Sequence, residues 1–168
     1  MLTKRHIAAA VLTALTGLGS AQLADANATG TIVVSVTIQA ACTVATNPLS
    51  FGTVTAGTAS VVQNSAAFTV TCPTGQAYNV GLLTTNTGGA NGTGNLKSGG
   101  GTNIGYQLFS NSTYTTAWGN TVGTNTVGGT GTGAAVSMTV YGQIPAGNIL
   151  GTDAAGLYQD NVTVTVFY

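Results

Sequence analysis

The chain has 168 residues, 43% hydrophobic and only 4% charged, with three basic and three acidic side chains that cancel. Soluble domains carry about 25% charged residues. So few charges exclude nucleic-acid binding through counterion release and electrostatic attachment to anionic lipid, while the ordinary apolar content argues against disorder.

The first residues read as an export signal. Lys4, Arg5 and His6 precede an apolar stretch from Ile7 to Leu18, and small residues lead to Ala24-Asp25-Ala26. A basic start, a short apolar middle and an A-x-A exit are the parts of a signal peptide, here residues 1–26, with Ala21 as a second cleavage point. The apolar run is shorter than the ~20 residues a membrane helix needs, so direct membrane insertion is not expected.

Removing 26 of the 168 residues leaves 142, enough for one domain. Lys97 is then the only cation, Asp153 and Asp160 are the only acidic side chains, and no histidine remains. General acid–base catalysis draws on histidine or paired carboxylates, and metal sites need several ligands together. No catalytic, cofactor or metal site is therefore expected. The two aspartates read as turn formers. With so little charge, a free monomer would tend to associate.

From residue 31 onward the periodicity is two. Ile32, Val34, Val36, Ile38 and Ala40 alternate with Thr31, Val33, Ser35, Thr37 and Gln39. Cys42 and Cys72 follow. In an exported chain an even pair reads as a disulfide, worth roughly 3–4 kcal/mol for a loop of this length in the chain-entropy model. Further strands are expected at 67–72, 78–83, 104–109, 135–141 and 162–168, where valine and threonine suit a half-buried pleated surface.

Gly-rich stretches around 87–89, 98–101 and 128–133 read as turns. The span 84–103 reads as a solvated loop. Its Lys97-Ser98 pair lacks the glycine a P-loop requires. Trp118 is expected in the core or at a subunit contact rather than stacked on a sugar. Asn91-Gly92-Thr93 and Asn111-Ser112-Thr113 match a glycosylation pattern that recurs by chance in such a composition. Many short strands with Gly-rich turns and no capped helical pattern predict an all-β sandwich.

The two ends of the processed chain each carry an alternating apolar row. Val162, Val164 and Val166 run toward Tyr168 with no turn residue after them, which reads as a strand at an open edge. The row at 32–40 could pair with it inside one molecule or be lent to another by strand addition. By residue pattern the two are equal. The short tether between the row and Cys42 favours lending.

Several stretches together resemble the spore coat protein U domain family, which includes the major subunits of archaic chaperone–usher pili. They are Cys42-Thr43-Val44, Leu49-Ser50-Phe51-Gly52, Phe68-Thr69-Val70-Thr71-Cys72 and Ile104-Gly105-Tyr106-Gln107-Leu108-Phe109, followed by Tyr141-Gly142-Gln143-Ile144-Pro145-Ala146 and the run from Gly156 to Val166. The resemblance implies an immunoglobulin-like sandwich, residues 42–168, that lacks its last strand and is completed by donor-strand exchange. It implies that residues 27–41 are the donor, with Ile32, Val34, Val36 and Ile38 as inserting side chains, and that Val162, Val164 and Val166 line the acceptor groove. The implied partners are identical subunits in a homopolymer, with a periplasmic chaperone and an outer-membrane usher during assembly. The implied product is a cell-surface pilus serving adhesion and biofilm formation. The alternatives are a secreted ligand-binding protein and a coat protein with a self-complete sandwich.

Overall fold

Alternation of large apolar and small polar residues gives each strand one face for the core, and a computed structural model shows how those faces close. It describes residues 29–87 and 89–168. The signal segment, residues 1–26, and the start of the donor segment lie outside the described residues. The chain divides into two compact units between Thr37 and Ile38. All strands among the described residues lie in the second unit.

They are β1 (Thr43–Ala45), β2 (Val62–Thr71), β3 (Ala77–Thr84), β4 (Thr93–Lys97), β5 (Asn103–Phe109), β6 (Val127–Thr130), β7 (Ala135–Ile144) and β8 (Val162–Phe167). One sheet has the order β1-β2-β7-β5-β4 and the other β6-β3-β8, with every pairing antiparallel. The architecture is all-β, and the expected sandwich is present. Phe68 and Val70 of β2 and Tyr106 and Leu108 of β5 meet Val80 and Leu82 of β3 in the core. Trp118 is core: it packs 5.6 Å from the Phe68 ring, and its Nε1 donates to Val80 O at 2.9 Å. Cys42 and Cys72 are disulfide-bonded, which ties the entry of β1 to the end of β2.

Two Gly-rich stretches are strands rather than turns. The expected loop at 84–103 contains β4, and the expected turn at 128–133 begins as β6. The reason lies on the partner strands. Gly94 stands opposite Tyr106 and Gly129 opposite Tyr78 in register. A Cβ at Gly129 would meet Tyr78 Oη at 2.5 Å, and one at Gly94 would run into the Tyr106 ring. Glycine in these edge strands makes room for a tyrosine to lie across the backbone, an arrangement that stabilises edge glycines.

The alternating stretch at 31–40 forms no strand in the lone chain. Its alternation is strand-like, yet residues 29–42 carry no regular secondary structure. A strand exists only when its main-chain groups pair with a neighbour.

Candidate functional site

The region of interest begins at Asp160, which is more than a turn former. Its Oδ2 accepts from Tyr106 Oη at 2.9 Å and its Oδ1 accepts from the Asn86 N–H at 3.0 Å, so it joins two distant segments. Next to it, Gln159 exchanges main-chain hydrogen bonds with Lys97 at the end of β4, and Asn161 O accepts from Thr85 N–H. The chain thus crosses from the edge of one sheet to the other and is pinned as β8 begins. Asp153 does behave as a turn former, accepting from Leu150 N–H at 2.7 Å.

Burial first, and then the hydrogen bond to Asp160 and its charge, push the Tyr106 hydroxyl well above the ordinary tyrosine range. The folded state therefore holds this proton more tightly than the unfolded chain. Its contribution to stability is complete below the unfolded value of about 10 and is lost as pH rises beyond it. Urea unfolding followed across that range should show stability falling above about pH 10. Tyr106→Phe should make the decline shallower and cost roughly 1–3 kcal/mol at neutral pH, because Asp160 loses a donor. An unchanged alkaline slope in that variant would remove Tyr106 from the account.

Among the described residues, β8 pairs with β3 alone. Leu82 N–H donates to Gly119 O at 2.8 Å, and Val80 O accepts from Trp118, so these β3 residues turn their main-chain groups away from β8. Their register partners Val164 and Val166 must then turn theirs away from β3, and the period of two extends this to Val162 opposite Thr84. Three N–H and three C=O groups face outward along an edge with no strand neighbour among the described residues. The same three valines pack against the core but are only half-buried.

Beside them opens a cleft of about 430 Å³. Val162 and Val164 form one wall, Thr46 to Leu49 the other, and Phe68, Leu82 and Leu108 lie beneath. Val166 lies farther along β8 and is not part of this wall. A second cleft of about 580 Å³ under the 153–159 loop shares Pro48, Leu49 and Asp160 with the first. Unpaired main-chain groups beside an apolar trough suit an extended segment adding to a sheet edge.

The residues expected to donate, Ile32, Val34, Val36 and Ile38, are 84–90% exposed, as is Val33 at 86%. A contiguous run of large apolar side chains this open is uncommon on the surface of a monomer. The sequence reading missed the roles of Tyr106, Asp160 and the Thr46–Leu49 wall. The aspartate in the otherwise uncharged run from Gly156 to Val166 was the available signal.

Among the described residues, no group of three or more His, Cys, Asp or Glu is placed to hold a metal. No helix among them is long and apolar enough to cross a membrane.

A family model for the Spore Coat Protein U domain matches residues 28–165. No curated protein matches the chain. Among solved structures, the chain is similar to one from the CsuC–CsuE chaperone–tip adhesion subunit pre-assembly complex of archaic chaperone-usher Csu pili of Acinetobacter baumannii. The identity is 22%, the TM-score is 0.53, and the match covers 79% of this chain. The chain spans 41% of that chain's length, and a likeness at this identity speaks to fold.

Proposed function

The chain belongs to the Spore Coat Protein U domain family, and on that footing we propose that it is a structural pilin that polymerises by donor-strand complementation into a surface pilus. Residues 27–41 are the donor, and Cys42 to Tyr168 form the sandwich that receives the donor of another copy. The observation that carries this reading is the open β8 edge, with its half-covered valines beside an apolar cleft. Ile32, Val34, Val36 and Ile38 of one copy insert beside Val162, Val164 and Val166 of the next.

The chain is exported through its signal segment. A periplasmic chaperone covers the β8 edge until an outer-membrane usher exchanges it for a donor, and the product serves adhesion and biofilm formation. No catalytic step or cofactor has a part in this. The free energy comes from burying apolar side chains and pairing main-chain groups that the lone subunit leaves open.

A peptide spanning Gly30 to Ala41, added in trans to the chain lacking residues 27–41, tests the reading. Its binding should raise the thermal midpoint with concentration, by about 2.7 kcal/mol of stability at a hundredfold excess over Kd. A scrambled peptide should do nothing. No shift with either peptide would favour a self-complete coat protein.

A further inference from the structure

The outer face of the five-stranded sheet carries a second surface, which the assembly reading does not use. Register places Gln63 opposite Gln143 and Gln143 opposite Gln107, on β2, β7 and β5. One step along, Ser65 stands opposite Tyr141 and Tyr141 opposite Phe109. Residues two apart share a face, so an amide row and an aromatic row run side by side. Strands lie about 4.8 Å apart, so the three amides span about 10 Å.

Tyr114 completes the aromatic row. Its ring meets Phe109 and Tyr141 edge-on, at 5.7 and 6.0 Å. Its backbone is left-handed, with φ of 55°, a conformation that non-glycine residues seldom adopt. Asn111 holds the turn: its Oδ1 accepts from Thr115 N–H and Thr116 N–H, and its Nδ2 donates to Thr113 and Thr115 hydroxyls. The turn holds the Tyr114 ring against Phe109, which is itself buried, so the rings this face presents to solvent are those of Tyr114 and Tyr141.

None of the three amides, nor the Tyr114 and Tyr141 hydroxyls, bonds another described side chain or main-chain group, and none is buried without a partner. They remain open to a ligand. Gln107, Gln143, Tyr114 and Tyr141 are half-buried and so partly ordered before binding.

We infer that this face binds a neutral polysaccharide. Amides donate and accept at once, which matches paired sugar hydroxyls. Phenol rings offer an apolar surface with a polar tip to the C–H face of a sugar ring. The amide and aromatic rows hold no charged side chain, so neither an acidic nor a basic polymer has a counterpart there. A protein partner, such as a second copy, could use the same two tyrosines as anchors, and self-association is the outcome that separates it from a polysaccharide.

The full secreted chain is applied to immobilised neutral glucans, mannans, galactans and N-acetylglucosamine polymers, with alginate and chitosan as acidic and basic controls. The expected result is retention on at least one neutral polymer, insensitive to added salt. Gln143→Ala and Tyr141→Ala should each weaken it about tenfold or more. Gln143→Ala keeps the test valid if loss of Tyr141 disturbs the fold, and melting curves report that directly. Retention only on charged polymers, no retention at all, or retention unchanged in both variants overturns the inference. Self-association abolished by the same variants would overturn it in favour of a second copy. Filament formation by Gln143→Ala, scored separately, is expected to be normal, so failure here is distinct from failure of the assembly reading.

Discussion

A chain lacking residues 27–41 is expected to fold, to be secreted and to stay monomeric, while the full chain forms filaments and heat-resistant ladders. All eight strands among the described residues lie beyond the deleted segment, as does the disulfide, so the sandwich loses none of that ladder. What it loses is the exposed apolar row. Burying four such side chains in a neighbour is worth roughly 6–12 kcal/mol as an upper bound. Even the lower figure is about four decades in the association constant. Electron microscopy and unboiled gels read the outcome. Filaments from the truncated chain would show that another segment makes the joint.

A charge in the row should act according to its parity. Val36→Asp should abolish assembly and leave the subunit fold intact, because residue 36 is exposed in the lone chain and the proposed joint would bury it. An unpaired carboxylate is too costly to bury charged. Val33→Asp, equally exposed but of opposite parity, should be far milder. Lowering the pH through the carboxylate range should partly restore Val36→Asp, since a protonated side chain costs less to bury. Equal loss from both substitutions would show that the segment does not bind as a strand with one face inward. Loss from Val33→Asp alone would place the other parity in the groove.

Much of this was legible from residue order. Strands with strict alternation, such as β7 and β8, stand where the period of two put them, because their pattern records one buried face, whereas β2 begins at Val62, five residues before the expected 67–72. The pairing of Cys42 with Cys72 followed from the absence of any other cysteine. β4 and β6 were hidden by glycine, which local pattern reads as a turn. Their justification sits on other strands, in the rings of Tyr106 and Tyr78. Asp160 was likewise read locally, whereas its partners are residues 106 and 86.

By itself the sequence determined the all-β class, the near-absence of charge and of catalytic groups, and the two alternating apolar rows. Those properties are local: they depend on which residues follow one another. Only the tertiary structure decided that β8 ends one sheet, that its valines turn unpaired main-chain groups outward, and that a cleft floored by Phe68, Leu82 and Leu108 lies beside them. An open edge is a relation between strands distant in sequence, set by where the sheet stops adding neighbours, and alternation looks the same on a paired strand as on an unpaired one.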